Sequence, residues 1–339
     1  MLNTVYITSG NKYLSLDGEN VVVSENHDEI GRFPLHNIQG IVTFGYSGAS
    51  PALMGACAKR NIDLAFMTMN GKFLARVTGE AKGNVTLRKT QYRISDNEEQ
   101  SIKISRNFIL GKVYNSRWIL ERAIRDYPMR VDVEKLKTSS KYLQKRLNDI
   151  RKCESSASLL GIEGEAASTY FSVINELILQ QQNDFIFNGR SRRPPLDAVN
   201  ALLSFSYSML AGMCASALEA VGLDSYVGFY HKDRPGRASL ALDLMEEFRS
   251  VMSDRFVLLI NKRIINKSHF LMKEDGAVLL NDIGRKVFLK SWQEKKQTMI
   301  KHPFLGEKIE WGMAPYVQAL LLARYLRVDL DEYPPFFWK

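Results

Sequence analysis

Cysteine is scarce: Cys57, Cys153 and Cys214 are odd in number, widely spaced and free of any CxxC pair. That excludes a disulfide framework and a zinc knuckle, and leaves reduced thiols in a core. The five histidines, His27, His36, His231, His269 and His302, stand far apart, so no HExxH or paired-histidine metal motif exists locally. A metal site must be assembled across long sequence separations. No apolar run reaches 18 residues, which argues against a spanning helix or a signal peptide and leads to the expectation of a soluble, cytoplasmic protein. Low-complexity and disordered classes are excluded by 45% hydrophobic and 24% charged residues. The 339 residues suffice for two or three domains.

What is present in excess is positive charge. Lys and Arg number 46 against 37 Asp and Glu, a net +9, pointing to polyanionic partners. Residues 103–152 hold 14 Lys or Arg and five Asp or Glu, an excess equal to that of the whole chain. A solvated helix face is the plain reading of such a run; phosphate binding is the functional one.

The first 77 residues read as short β-branched and aromatic runs separated by Asn11-Lys12, Asp17-Gly18 and Asn70-Gly71, pairs suited to hairpins. One helix is expected over 50–60, with Ser50 as cap and Pro51 at its first position. The sequence then turns polar from Gly79 to about Glu99, as for a linker. Beyond it, helical spacing recurs at Ile104–Ile124 and near 132–152, 155–184, 197–221, 239–254, 280–299 and 312–326. The fold class expected is α+β: a β domain over 1–78, a linker over 79–99, and an all-helical domain over 100–339. The stretch around Phe256–Ile260 reads as a helix end or a small hairpin, and the aromatic, Pro-rich end from Asp329 to Lys339 as a segment that packs on the body or docks on a partner.

Chemistry concentrates in four segments. Gly161-Ile162-Glu163-Gly164-Glu165 surrounds carboxylates with small residues near a helix start, where answering the helix dipole is the simpler role. His231 follows a Gly-containing turn on a loop with Lys232 and Arg237. Ser239 is a cap candidate for the next helix, on which Asp243 and Glu246, three apart, share a face, with Asp243 at the edge of the Leu240/Leu244/Phe248 stripe. The loop Gly189–Pro195 offers Arg190, Arg192 and Arg193 to phosphate oxygens. Carboxylates with one imidazole suit Mg²⁺ or Mn²⁺ better than Zn²⁺ and fit metal-assisted phosphodiester chemistry.

Three longer segments, GIEGEAASTYF, RRPPLDAVNALLSFSYSML and GLDSYVGFYHKDRPGRASLALDLMEEFR, behind an N-terminal β region, resemble the CRISPR-associated integrases that insert new spacers during adaptation together with a small partner protein. The resemblance spans nearly the whole chain. It implies a β-rich domain, an all-helical metal-binding domain, a homodimer formed largely through the β domains, and binding of double-stranded DNA. By motif it implies Glu163, His231 and Glu246 as metal ligands for Mg²⁺ or Mn²⁺, with Asp243 a supporting or alternative catalytic acid and Glu165 a rival to Glu163. It places Arg193, Asp197, Asn200, Ser204 and Tyr207 near the metal. DNA contacts are expected from Arg190, Arg192, Arg193, Asn200, Lys232 and Arg237. The implied reaction is strand transfer, in which a 3′-hydroxyl attacks a repeat-boundary phosphodiester. Two other readings fit the residues: a stand-alone metal-dependent nuclease of branched or damaged DNA, and a non-catalytic DNA-binding scaffold. No helix pairs a Lys-rich face with a wide apolar one, so membrane-surface binding has no support.

Overall fold

Alternation along the early strands decides the architecture of the N-terminal region. In the computed structural model, which describes residues 2–79, 84–255 and 258–339, Ile41 faces one apolar cluster while Val42 and Phe44 face another. One sheet has the order β1 (Thr4–Ile7), β5 (Gly40–Phe44), β7 (Asp63–Met67), β8 (Phe73–Val77), parallel except for β7 with β8. The other has the order β4 (Asp28–Pro34), β3 (Asn20–Glu25), β2 (Lys12–Asp17), β6 (Gly48–Ala49). Helix α1 (Pro51–Arg60) starts as the sequence indicates, the Ser50 hydroxyl accepting the Leu53 N–H at 3.2 Å. Its Leu53 and Cys57 join Leu14, Val21, Ile41 and Leu64 in the β-region core.

Two of the expected hairpins form. Asp17-Gly18 turns β2 into β3 and Asn70-Gly71 turns β7 into β8, with Gly18 and Gly71 at positive φ. Asn11-Lys12 instead carries the chain from one sheet to the other, because β1 pairs in parallel with β5. A further hairpin, through Asn26-His27, joins β3 and β4.

Residues 85–96, expected as linker, form α2 (Val85–Asp96), anchored where buried Gln91 donates to the carbonyls of Asp224 and Val227, each at 2.8 Å. Residues 80–83 of that linker lie outside those described, as do 256 and 257 of the stretch expected as a helix end or hairpin. The long helix α3 (Glu98–Asp126) packs along α4 (Val133–Arg151) and α5 (Ser156–Ser172), and α6 (Ala198–Ala220) runs through the interior. Helix α6 is long and apolar enough to cross a membrane, but most of it is buried by the surrounding elements, as befits a core helix. Helix α7 (Ser239–Glu246) passes through a short turn into a π-helical segment, Arg249–Asp254. Helices α8 (Asp282–Lys296) and α9 (Ala314–Leu326) complete the body.

The expected all-helical domain also carries two small hairpins, β9 (Phe270–Met272) with β10 (Val278–Leu280) and β11 (Met299–Lys301) with β12 (Lys308–Glu310). Helix α5 stops at Ser172, short of the expected 184, and Ile174 and Leu177 are buried from a short 3₁₀ turn instead.

The two regions are joined by polar and apolar contacts. Arg76 pairs with Asp63 at 2.9 Å and with Glu219 at 3.2 Å, Arg285 donates to the Met69 carbonyl at 2.7 Å, and Phe44 stacks on Phe205 at 5.8 Å.

The C-terminal segment packs on the body. Tyr333 and Phe336 are fully buried; Asn115 donates to the Phe336 carbonyl at 2.7 Å and accepts the Trp338 N–H at 2.9 Å. His302 lies beside the Phe336 ring, 5.5 Å between centroids, and burial pushes its imidazole down to about 4. Between that value and the ordinary ~6.5 the unfolded chain binds a proton that the fold excludes, so stability is lost as pH falls through this window. Relative to His302→Gln, wild type is expected to lose several degrees of melting temperature between pH 6.5 and pH 4; equal slopes in thermal melts of the two would refute the assignment.

Candidate active site

Helix α5 begins at Ser156, whose preceding residue Ser155 accepts the Ser158 N–H at 3.3 Å. Glu163 therefore sits two turns inside the helix, and answering the N-terminal dipole does not explain it. Lys112 of α3 donates to Glu163 and, at 2.7 Å, to Glu246 at the end of α7. Arg249 pairs with the other oxygen of Glu246 at 3.1 Å. Burial alone would raise the Glu246 carboxyl, but Arg249, Lys112 and His231 outweigh it and hold the group down at about 2. Two carboxylates separated by 83 positions thus share one ammonium. Glu165, by contrast, turns outward to Arg146 at 2.9 Å and the Tyr142 hydroxyl at 2.8 Å.

The loop bearing His231 is folded around Asp243. Asp243 is fully buried, beyond the stripe-edge position expected of it, because loop 228–231 closes over α7. Its Oδ2 accepts the N–H groups of Phe229 and Tyr230 at 2.7 and 2.9 Å; its Oδ1 accepts the His231 N–H at 2.9 Å and the ring Nδ1–H at 2.6 Å. Those contacts fix the imidazole and leave the Nε2 lone pair facing away from Asp243. Ser239 does not cap α7: the cap position is Ala238, and the Ser239 hydroxyl accepts from Arg237 Nε at 3.2 Å instead.

Gly228 is where the loop approaches most closely. A Cβ there would stand 2.8 Å from Ser239 Cβ and 2.9 Å from Asp243 Oδ2. Gly228→Ala is expected to cost about 1–3 kcal/mol in thermal melts and, by shifting His231, to lower catalysis by about 10²-fold. Wild-type rates in that variant would show that the loop's placement is irrelevant to turnover.

The arginine loop divides. Arg192 and Arg193 are exposed, whereas Arg190 turns inward, donating to Asn200 Oδ1 at 2.7 Å. Asn200 is fully buried, also accepting the Ser191 N–H at 3.1 Å and donating to the Gly189 carbonyl at 2.8 Å and Asp197 at 2.6 Å. Arg190 and Asn200, both expected as DNA contacts, shape the loop's backbone here. Asp197 caps α6 by accepting the Asn200 N–H at 2.7 Å. Arg190 and Arg249 both lie over the Tyr207 ring, at 5.4 and 4.7 Å, and the Tyr207 hydroxyl donates to Asp254. Burial raises Asp254 to about 6 against the pull of Tyr207 and Arg249. Lys232 is exposed beside His231, and Arg237 is half-buried.

Lys112 and Arg249, which sequence reasoning did not single out, complete the charged cluster around Glu163 and Glu246. Lys112 had a legible signal: it falls in three-and-four register with Ser101, Ser105, Phe108 and Asn115, all buried, so it is a lysine on an inward stripe. The basic stretch 103–152 is also less free than its charge suggests, since Arg117, Arg125, Lys135, Lys137 and Arg146 are held in ion pairs.

Among the described residues no three His, Cys, Asp or Glu groups stand as a ready-made metal cluster. The donor set nevertheless fits a hard divalent cation: two carboxylates already converge on a positive charge, beside an imidazole oriented by Asp243.

The family model for CRISPR associated protein Cas1 matches residues 5–294. A CRISPR-associated endonuclease Cas1 of Chlorobaculum tepidum is 48% identical over 339 residues, covering 100% of this chain and 99% of that protein. The solved structure of a casposase bound to its integration product superposes with a TM-score of 0.84 at 24% identity, over 99% of this chain and 93% of that one. A Cas6-RT-Cas1–Cas2 complex matches with a TM-score of 0.83 at 21% identity, over 99% of this chain and 36% of that one.

Proposed function

The chain belongs to the CRISPR-associated Cas1 family and is an endonuclease and integrase of that family; from this premise we propose that it joins short DNA fragments to a repeat array by metal-dependent strand transfer at Glu163, His231 and Glu246. The observation that carries the reading is the convergence of Glu163 and Glu246 on Lys112 beside an imidazole held by Asp243.

Glu163, His231 Nε2 and Glu246 would hold Mg²⁺ or Mn²⁺. When bound, that cation neutralises charge on the phosphodiester and activates the attacking oxygen. The chain's own groups do the rest. Asp243 keeps the proton on His231 Nδ1, so Nε2 stays an electron-pair donor. Lys112 and Arg249 supply positive charge next to the reacting phosphate. The 3′-oxygen forms the new bond to phosphorus as the old 3′-oxygen leaves with its electron pair and takes a proton. One phosphodiester is exchanged for another, and no nucleotide is hydrolysed. With water as the attacking group, the same site produces a nick.

Exposed Arg192, Arg193 and Lys232 are suited to duplex phosphates. A homodimer through the β regions is supported by Ile30, Phe33, Phe73 and Leu74, large apolar side chains exposed on strands. A small adaptation partner is proposed on the strength of the Cas1–Cas2 assembly named in the structural neighbour.

The test is transfer of a short duplex with free 3′-hydroxyls into supercoiled plasmid with and without a repeat array, the small partner added or omitted. Joined products confined to the repeat-bearing plasmid are expected. Nicks without joining would favour a stand-alone nuclease.

A further inference from the structure

Ten residues beyond Lys112 on α3, about 15 Å along the helix, lies a cavity of about 520 Å³. Its walls come from the end of α3, the segment 177–179 after α5, the residues after the π-helical turn, and α8. None of the candidate active-site residues lines it. We infer that this cavity binds a nucleoside phosphate, with the phosphates against Arg122, Arg255 and Lys295 and the nucleoside along the apolar wall.

Charge is the first argument. Arg122, Arg255 and Lys295 are half-buried side chains that line one cavity, and among the described residues none of them is held in an ion pair. Of the two acids at the rim, Asp126 pairs with Arg125 at 2.7 Å and partly offsets Arg122 and Arg255, leaving Lys295 and the summed excess of cations uncompensated, and Glu294 is exposed. Burial, then the neighbouring Arg255 and Arg125, pulls Arg122 down to about 10; burial, then Arg255, Lys262 and Arg122, lowers Lys295. A fold that gathers cations at such a cost is relieved by an anion.

Preorganisation is the second. The Arg122 guanidinium lies 3.6 Å over the Trp338 ring and that of Arg255 4.9 Å over the same ring, while Lys295 stands 5.9 Å over Trp311. Stacking fixes the guanidiniums before any ligand arrives and leaves their edge N–H groups for bidentate contact with phosphate. The volume lies within the 300–1,000 Å³ typical of small-molecule sites, and Ile119, Leu177, Leu179 and Val251 give an apolar wall for a sugar and base. Asn261 does not read the base: its side chain accepts the Leu179 N–H at 2.7 Å and donates to the Leu177 carbonyl at 2.8 Å. Recognition is therefore of the class, with little base preference. A free nucleotide and the terminal nucleotide of a strand both present this chemistry.

The experiment is calorimetric titration of the full chain with ADP, adenosine, inorganic pyrophosphate and a 5′-phosphorylated dinucleotide. ADP is expected to bind saturably, one per chain, with adenosine at least tenfold weaker and pyrophosphate weaker than ADP. Arg122→Gln and Lys295→Gln are each expected to weaken ADP at least tenfold, melts confirming that both fold. Lys112→Gln leaves ADP binding unchanged, which separates this site from the proposed active site. Tighter dinucleotide than ADP identifies a strand end as the occupant, and the reverse a free nucleotide. Absence of saturable ADP binding, binding indifferent to both cavity variants, or pyrophosphate binding as tightly as ADP would overturn the inference.

Discussion

Glu246→Gln is expected to lower strand transfer by roughly 10³-fold while leaving a cooperative thermal transition. The amide keeps the size and hydrogen-bonding reach of the carboxylate but loses its charge, which in the native protein stands 2.7 Å from Lys112 and 3.1 Å from Arg249. Held down at about 2, that carboxyl is ionised throughout the working pH range, so no change of pH compensates the loss. Metal stabilisation of a phosphoryl transition state is worth several kcal/mol, and each 1.36 kcal/mol is about tenfold in rate, which sets the three decades. Glu246→Asp retains the charge at a shorter reach and should keep part of the activity. Single-turnover transfer rates beside a melt separate chemistry from folding. A Glu246→Gln enzyme within tenfold of wild type would remove Glu246 from the metal.

Asp243→Asn should fail differently. One carboxylate satisfies three backbone N–H groups and one ring N–H, all as acceptor. An amide has one acceptor atom, and its NH₂ must face donors on one side or the other, leaving N–H groups unsatisfied at a cost of about 1–3 kcal/mol. The imidazole then loses its anchor. Loss of a group that orients a metal-ligating histidine typically costs 10- to 100-fold in affinity or activity. Because the ligands remain, excess Mn²⁺ should recover most of the transfer rate in Asp243→Asn and almost none in Glu246→Gln. Equal behaviour of the two variants across a Mn²⁺ titration would mean that Asp243 is itself a ligand.

These two acids show what was legible in the chain. Their spacing put Asp243 and Glu246 on one face of a helix, and the resemblance of the surrounding segments named the ligand set. What one-dimensional spacing does not carry is direction. Asp243 reads as a stripe-edge acid until loop 228–231, which has no periodicity of its own, is seen to fold over it. Arg190 reads as DNA-facing because its loop is basic and Asn200 from the motif alone, and neither signal shows that Asn200 holds that loop's backbone. The helices over 133–151, 198–220, 282–296 and 314–326 fell within a few residues of their apolar periodicity, since burial of one face is what makes a helix there, whereas α5 ended twelve residues early. The polar α2 lacked that signal because its anchorage is Gln91 on backbone carbonyls. Pairing of β1 with β5 was likewise hidden, since a parallel partner is set by a crossover and no local turn announces it.

The most direct measurement is strand transfer of a 3′-hydroxyl duplex into a repeat-bearing supercoiled plasmid, in Mg²⁺ or Mn²⁺ and in chelator, by wild type, Glu163→Ala and His231→Ala. Products that need the metal and vanish in both variants are the expected result. Transfer by both variants at the wild-type rate would contradict the assignment of this site as the metal-dependent centre.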